Sequence, residues 1–200
     1  MTALRCCGVL LAAWLIGASM AVAEDQPSAA QMMDDLMYGR GPIGGHFTLT
    51  DHTGRLRSDT EFRGRLMIVY FGYTFCPDVC PTDLQAITIA LNALGPLARQ
   101  VQPIFITIDP ERDTKVLAEY ISAFHPSLIG LTGSPAEIRQ VANAYKAYYT
   151  KIGDERTEAY SIDHAGVIYL MGRNGEYLGF MPPQTSPERL TEVLRTHLAK

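Results

Sequence analysis

The segment LMIVYFGYTFCPDVCPTDL (Leu66–Leu84) joins an apolar run, a short loop that contains two cysteines, and the start of an amphipathic pattern. The apolar run Leu66–Phe71 is typical of a β-strand that is buried on both faces. After the cysteines, apolar residues recur at helical spacing as far as Gly95. Because proline fits only the first turn of a helix, we expect this helix to begin near Pro81. The segment therefore predicts a strand–loop–helix unit of an α/β protein.

The two cysteines of this segment are expected at the start of the helix. Cys76 falls in the loop that leaves the strand, and Cys80 falls at or beside the N-cap. The helix dipole and the free N–H groups of the first turn stabilise an anion there, so at least one thiol should have a lowered pKa. In open α/β sheets, functional sites lie outside the carboxyl ends of the strands, which is where this loop must be.

A spacing of four residues between the thiols leaves two outcomes open. The cysteines could form a disulfide if the segment unwinds slightly, because the side chains of a regular helix are too far apart at this spacing. Two thiolates could instead hold one soft cation, and Cu(I) suits such a ligand set. A structural zinc site would need four ligands.

The first 23 residues have the pattern of a secretory signal peptide. Residues 1–23 contain one basic residue, Arg5, then an apolar stretch, then Ala-Val-Ala before Glu24. A retained membrane anchor is the alternative, because the apolar stretch is close to the lower limit of about 17 residues for a membrane span. Signal cleavage would place the protein in the periplasm or another extracytoplasmic compartment, whereas retention would anchor it to the membrane.

Cleavage would also change the cysteine content and the charge. Of the four cysteines, Cys76 and Cys80 would remain, and the formal charge would change from −4 to −5 because Arg5 is the only charged residue lost. A disulfide that closes only three intervening residues would constrain the chain very little, so a purely structural bridge explains this pair poorly. A mildly acidic chain without a basic stripe is not expected to bind nucleic acid.

The rest of the chain predicts one domain after a short tether. Residues 24–45 show no sustained pattern and are predicted to be a flexible tether, whereas strand and helix patterns alternate through residues 46–200. HFTLTDHTGRL (46–56) predicts a hairpin, Pro103–Asp109 predicts a second buried strand, and Asn174-Gly175 predicts a further hairpin. The predicted fold is α/β and thioredoxin-like, with a central mixed sheet flanked by helices, an extra N-terminal β-hairpin and an inserted βα unit.

A third ligand for a cation between the cysteines must come from elsewhere in the chain. His164, in SIDHAGVIYL, lies at the entry to a hairpin strand, where thioredoxin-like enzymes place a cis-proline against the active cysteines. The chain has no proline between Pro135 and Pro182, so we expect His164 to face the two sulfur atoms. The alternative is a solvated histidine beside Asp163. Four other histidines are expected at the surface or at caps, namely His46, His52, His125 and His197.

Three motifs together resemble one known family. FGYTFCPDVCPTDL (71–84), TIDPERDT (107–114) and YSIDH (160–164) are similar to signatures of the Sco/SenC proteins, which are copper chaperones for cytochrome c oxidase. The resemblance extends from about Gly44 to the C-terminus. Members of this family commonly keep a transmembrane anchor, which differs from the cleavable signal predicted here.

The resemblance implies a ligand set and a partner. It implies that Cys76, Cys80 and His164 bind one copper ion per chain, as Cu(I) or Cu(II), and that the two cysteines form a redox-active disulfide when oxidised. The expected acceptor is the dinuclear copper site of cytochrome c oxidase subunit II or a similar protein, whose disulfide the chain could also reduce beforehand. A copper donor or a thiol reductant outside the cytoplasm is a further expected partner.

Two acidic positions near these motifs have alternative explanations. Asp109, with Arg112 and Asp113, could lie near the copper, or the segment could form a turn in which Asp113 caps the following helix. Asp163 could orient His164 through a hydrogen bond, as metal-bound histidines usually require. Adjacent residues on an extended segment tend to point apart, which argues against this role for Asp163.

Three functions compete with a copper chaperone. A thiol–disulfide oxidoreductase would use the same cysteines, although the C-x3-C spacing and His164 favour a metal site. A peroxidase is suggested by VCPTD, but Pro77 stands where such enzymes need a threonine. A purely structural domain explains the position of the thiols least well. The sequence therefore favours a metallochaperone and leaves enzymatic reductase activity open.

Overall fold

A computed structural model describes Gly39, residues 41–154 and residues 159–199. The predicted signal peptide and most of the predicted tether lie outside these residues. Within the described part of the tether, Ile43 is buried in the core and the backbone N–H of Gly44 donates to the carbonyl oxygen of Ala144 at 3.0 Å. Packing of the domain therefore includes chain that precedes His46.

The strands are arranged in two sheets. The nine strands in the described residues are β1 (Thr48–Asp51), β2 (Leu56–Ser58), β3 (Leu66–Gly72), β4 (Val101–Thr107), β5 (Ile129–Thr132), β6 (Tyr149–Gly153), β7 (Tyr160–His164), β8 (Ile168–Met171) and β9 (Tyr177–Met181). Seven of them form a mixed sheet in the order β2-β1-β5-β4-β3-β8-β9, and β6 and β7 form a separate two-stranded sheet. The central strands β3, β4 and β5 are parallel, β1 and β8 flank them in antiparallel pairs, and β2 and β9 form the antiparallel edges.

Helices connect and cover the larger sheet. Ser134 and Glu137 form a capping box at the start of one helix, and the Ser186 side chain accepts a hydrogen bond from the N–H of Arg189 at the start of the last helix. The described α-helices are α1 (Val79–Leu94), α2 (Pro110–Asp113), α3 (Leu117–Ser122), α4 (Pro135–Tyr145) and α5 (Pro187–Leu198), with 3-10 turns at Asp59–Phe62 and Gly95–Gln100.

The main features of the predicted fold are confirmed. All residues of β3 and β4 are buried, as the apolar runs at 66–71 and 103–106 indicate, and the rings of Tyr70 and Phe105 lie 6.4 Å apart within this core. The N-terminal hairpin β1–β2 and the hairpin β8–β9 are both present. Because β3 lies at the centre of the sheet, its carboxyl end is a rigid support for the loop that follows it.

Two local predictions differ from the structure. Helix α1 begins at Val79, slightly earlier than Pro81, so that the proline lies within its first turn, where its missing N–H costs no hydrogen bond within the helix. The second concerns the alternative in which Asp113 caps the following helix, which the structure does not show. Helix α3 has Val116 at its N-cap, and Asp113 is instead fully buried at the end of α2.

The hairpin β6–β7 was not predicted from the sequence. Its strands pair in register from Tyr149 with His164 to Gly153 with Tyr160, and residues 155–158 between them are outside the described part. The strands show a weak apolar pattern because they lie over the domain and not within its main sheet. His164 is therefore the last residue of β7, and residues 165–167 connect it to β8.

Candidate metal centre

The loop between β3 and α1 carries both cysteines to the carboxyl end of the sheet. Cys76 is half-buried in this loop, whereas Cys80 is completely buried in the first turn of α1. The backbone N–H of Cys80 donates to the Cys76 sulfur at 3.5 Å, so the first turn of the helix wraps around this thiol. Both thiols are free.

The Asp113 carboxylate binds the start of the cysteine loop. Its carboxylate accepts hydrogen bonds from the backbone N–H of Thr74 at 3.0 Å and from the Thr74 hydroxyl at 2.6 Å. The hydroxyl of Thr107, the last residue of β4, donates to the same carboxylate at 2.5 Å. Asp113 therefore ties the cysteine loop to the neighbouring parallel strand, and this position explains why it is not available as a helix cap.

His164 reaches the cysteines from the separate hairpin. Its Nε2 lies 3.4 Å from the Cys80 sulfur, and the two sulfur atoms and a ring nitrogen of His164 all lie within 4.8 Å of one another. The rings of Tyr70 and Tyr73 stand edge-on to the imidazole, with centroids 6.4 and 6.0 Å away. The structure thus brings together the three residues that the sequence singled out as metal ligands.

Hydrogen bonding at the other ring nitrogen fixes the tautomer of His164. The backbone N–H of Gly166 donates to Nδ1 at 3.1 Å, so Nδ1 is the acceptor. A neutral imidazole then carries its proton on Nε2, where it points at the Cys80 sulfur. A cation bound at Nε2 would take the place of this proton.

The environments of the two thiols shift their pKa values in opposite directions. The hydrogen bond with Cys80 lowers the pKa of the Cys76 thiol well below its ordinary value, and hydrogen bonds from His164 and from backbone N–H groups act in the same direction. The same bond with Cys76, together with burial, raises the pKa of the Cys80 thiol. The half-buried sulfur is therefore the anionic one, and the buried sulfur is its hydrogen-bond donor.

A buried polar group lies beneath Cys80. The Tyr70 hydroxyl donates to Asp83 at 3.1 Å, and the backbone N–H of Gln184 donates to the other oxygen of this carboxylate at 2.7 Å. Burial raises the pKa of Asp83. These contacts connect helix α1, strand β3 and the chain that leads into α5, and they keep the helix that carries Cys80 in place.

The two acidic residues considered near the site lie in different surroundings. Asp109 is fully buried and accepts hydrogen bonds from the Tyr160 hydroxyl at 2.8 Å and from the Arg112 Nε. Asp163 is exposed, and the partner observed at His164 Nδ1 is the N–H of Gly166. Asp109 therefore acts on the histidine strand through Tyr160 and Arg112, whereas Asp163 lies at the surface beside the site.

Sequence reasoning missed several residues that shape this centre. Tyr73 accepts a hydrogen bond from the backbone N–H of Ile162 at 3.3 Å, which attaches β7 to the loop near the cysteines. Gly72 allows the Cys80 sulfur to approach β3, because an added Cβ would lie 2.9 Å from that sulfur. Tyr73 and Tyr160 belong to two of the recognised motifs. The spacing of residues within each motif does not indicate that Tyr73 would contact the strand that begins at Tyr160.

The ligand set fits a soft cation. Two sulfur atoms and one imidazole nitrogen suit Cu(I), which accepts few ligands, whereas a closed zinc site would take four. Among the residues that the structure describes, the group contains three potential ligands. In the same part of the chain, no helix is long and apolar enough to cross a membrane.

Comparisons with known proteins place the chain in one family. A family model described as SCO1/SenC matches residues 37–199. The SCO2 homolog of Bos taurus mitochondria is 38% identical over 194 residues, which cover 95% of this chain and 73% of that protein. The chain belongs to the SCO1/SenC family.

Solved structures agree with this assignment. The copper-bound ScoI of Bradyrhizobium japonicum has 42% sequence identity and a TM-score of 0.69, with 78% of this chain and 99% of that chain covered. The copper-bound Sco1 of yeast has 32% identity and a TM-score of 0.73, with 80% and 90% covered. These structures also confirm the predicted thioredoxin-like α/β fold.

Proposed function

We propose that this protein is an extracytoplasmic copper chaperone that binds one copper ion through Cys76, Cys80 and His164. The observation that carries the proposal is the convergence of two thiols and an imidazole within 4.8 Å at the carboxyl end of the central sheet. Support comes from the family, in which the bacterial and yeast structures above were determined with copper bound. Copper is here the cargo, and the protein supplies soft ligands that hold it against water and oxidation.

The proposed acceptor is the dinuclear copper site of cytochrome c oxidase subunit II or a similar copper-accepting protein. The half-buried Cys76 lies at the entrance to the centre, whereas Cys80 is enclosed, so an incoming thiolate would reach the copper from the side of Cys76. Ligands would then be exchanged one at a time, and the copper would leave without crossing the core. The predicted signal peptide would bring the chain to the compartment in which such an acceptor is exposed.

Copper binding by the reduced chain Glu24–Lys200 tests the proposal. This chain includes all residues that the structure describes and omits Cys6 and Cys7, which would compete for the metal. We expect one copper per chain in competition with a chromophoric Cu(I) chelator. X-ray absorption at the copper edge should give two sulfur neighbours and one nitrogen neighbour.

Single substitutions of the ligands complete this test. Cys76→Ser and Cys80→Ser should abolish tight binding, whereas His164→Ala should weaken it and remove the nitrogen neighbour with little loss of fold. Stoichiometric copper that His164→Ala retains at the affinity of the unmodified chain would contradict the three-ligand site.

A thiol–disulfide reductase is the second candidate, and the opposite pKa shifts of the two thiols favour it. The Cys76 thiolate would attack a disulfide of a partner protein, form a mixed disulfide and release one partner thiol. Cys80, after loss of its proton, would attack the Cys76 sulfur, release the second partner thiol and leave a Cys76–Cys80 disulfide. A thiol reductant would then restore the dithiol. Absence of tight copper binding together with rapid exchange of this disulfide would favour the reductase.

A further inference from the structure

Arg112 contacts the cysteine loop, the strand β7 that carries His164, and the turn at Asp109 beside them. Its side chain is only 9% exposed and forms an ion pair with the fully buried carboxylate of Asp109. Its Nη1 donates to the carbonyl oxygen of Tyr160 at 3.0 Å. The guanidinium also lies over two aromatic rings, 3.6 Å from the centroid of Tyr160 and 4.9 Å from that of Phe75.

Each aromatic partner of Arg112 lies on a segment that carries a metal ligand. Phe75 directly precedes Cys76, and Tyr160 begins the strand β7 that ends at His164. Among the described strands, β7 pairs with β6 alone, outside the seven-stranded sheet. Main-chain pairing with the core therefore does not set the distance between His164 and the sulfur atoms.

Side chains provide this attachment instead. The Tyr160 hydroxyl donates to Asp109 at 2.8 Å, and the Tyr160 ring also lies 4.7 Å from the ammonium group of Lys151. Asp109 is anchored in turn at the end of β4, where its backbone N–H donates to the Thr107 hydroxyl at 2.9 Å. The strand that carries His164 is thus held to the main sheet through Tyr160, Asp109 and Arg112.

We propose that Arg112 is a positioning residue for copper binding, which keeps His164 within reach of Cys76 and Cys80 by clamping β7 against the cysteine loop. The inference rests on the proposed function, because it concerns the same three-ligand site. Arg112 has no role as a ligand: its guanidinium is always protonated and binds carboxylates, carbonyl groups and ring faces.

The geometry of arginine is what this role requires. A planar guanidinium can pair with Asp109, donate to Tyr160 and lie flat on its ring at the same time. Lysine would keep a positive charge beside Asp109 but would offer a single ammonium group in place of the planar fork. Arg112→Lys therefore removes the planar contacts with Tyr160 but keeps a positive charge that neutralises the buried carboxylate of Asp109.

A double-mutant cycle tests the inference in the chain Glu24–Lys200. Cu(I) affinity is measured by chelator competition for the unmodified chain, Arg112→Lys, His164→Ala and the double variant. We expect Arg112→Lys to weaken binding roughly 10–100-fold, the range found for residues that orient metal ligands. It should cause no further loss in the His164→Ala background, because it acts through that histidine. X-ray absorption of copper-loaded Arg112→Lys should retain two sulfur neighbours and lose the nitrogen.

A measurement without copper distinguishes local loosening of β7 from a general loss of stability. In metal-free Arg112→Lys, amide hydrogen exchange should accelerate in β6 and β7 and remain unchanged in β3 and β4. Arg173→Lys is the matched control, because Arg173 donates to Gly64 and Gln100 at the opposite end of the sheet. This control should leave the copper affinity and the exchange of β7 unchanged.

The outcomes separate this inference from the proposed function. Equal weakening by Arg112→Lys with and without His164 would show a structural role only and would overturn the inference, as would an unchanged affinity. Failure of the unmodified chain to bind copper would instead refute the proposed function. If Arg112→Lys does not fold, Tyr160→Phe, which removes only the hydroxyl bond to Asp109, should give a smaller loss that also depends on His164.

Discussion

At the scale of single residues, the two cysteines are chemically different although they are close in sequence. Cys76 is half-buried and receives hydrogen bonds, whereas Cys80 is enclosed and donates one. A thiolate is the form that binds a metal or attacks a disulfide. Cys76 is therefore the residue at which either proposed reaction would begin.

The lowered pKa of Cys76 predicts how its reactivity depends on pH. Because the folded chain stabilises the thiolate, protonation of Cys76 requires a lower pH than an ordinary thiol, whose pKa is about 8.5. We expect the alkylation rate of Cys76 by iodoacetamide to stay nearly constant between about pH 8 and pH 5, whereas an ordinary thiol loses most of its rate over this range. Mass spectrometry of the Cys76 peptide measures the rate.

The urea-unfolded chain is the control for this pH profile. It should show the ordinary dependence, because unfolding removes the hydrogen bonds to Cys76. A folded chain that loses its reactivity around pH 8 to 9 would contradict the assignment of Cys76 as the anionic thiol.

Asp113 carries a second prediction at this scale, on stability. Replacement by alanine would leave the Thr74 N–H and the Thr107 hydroxyl without their acceptor inside the protein. We expect Asp113→Ala to lower the free energy of unfolding by about 1–3 kcal/mol, as measured by urea denaturation. Glu192→Ala, which removes a surface ion pair with Arg189, should change it by less than about 1 kcal/mol. Equal effects of the two substitutions would show that the Asp113 bonds add nothing.

At the scale of elements, the site depends on how closely α1 approaches the end of β3. An added Cβ at Gly72 would lie 2.9 Å from the Cys80 sulfur, 2.9 Å from Phe105 and 3.0 Å from Tyr70. All three neighbours are buried, so they have little room to move. The absence of a side chain at this position is what allows the strand–loop–helix unit to close around the thiol.

Gly72→Ala should therefore damage both stability and the metal centre. We expect a loss of about 1–3 kcal/mol in the free energy of unfolding, from overpacking, and weaker Cu(I) binding because the Cys80 sulfur is displaced. Gly45→Ala is the control, since its added Cβ would lie 3.4 Å from the Ala144 Cβ, near an ordinary contact. Unchanged copper affinity in Gly72→Ala would mean that the sulfur can adjust without cost.

At the scale of the whole molecule, the centre connects parts of the chain that are far apart in sequence. Cys80 and His164 are 84 residues apart, and α1 also contacts the chain before α5 through Asp83 and Gln184. The three ligands converge in the folded chain, so a cation at this centre binds the folded state more tightly than the unfolded chain. Copper should accordingly stabilise the whole domain by mass action.

Thermal unfolding measures this coupling. At a free copper concentration about 100 times the Kd, the stabilisation is at most about 2.7 kcal/mol, which corresponds to a rise in Tm of up to roughly 5–10 °C for a domain of this size. The oxidised chain, with a Cys76–Cys80 disulfide, should show no rise, because both sulfur ligands are consumed. A similar rise in the reduced and oxidised chains would place copper at another site.

Local units of this protein are predictable from neighbouring residues. The buried strand β3, the loop with two cysteines and the helix that follows can be predicted because apolar periodicity and proline position are properties of neighbouring residues. The two hairpins with turn residues and the serine caps follow from the same local chemistry. His164 was singled out by its position in a motif and by the missing proline, without any indication of what holds it.

The position of the histidine relative to the cysteines depends on long-range contacts of the assembled fold. The strand that carries His164 has a weak apolar pattern, and its place is set by Tyr73, Tyr160 and Arg112 across separations of 48 to 89 residues. Asp113 likewise serves the cysteine loop and not the helix after it, because its donors come from other segments. Such contacts are formed by side chains that become neighbours only when the sheet assembles, so local periodicity does not predict them.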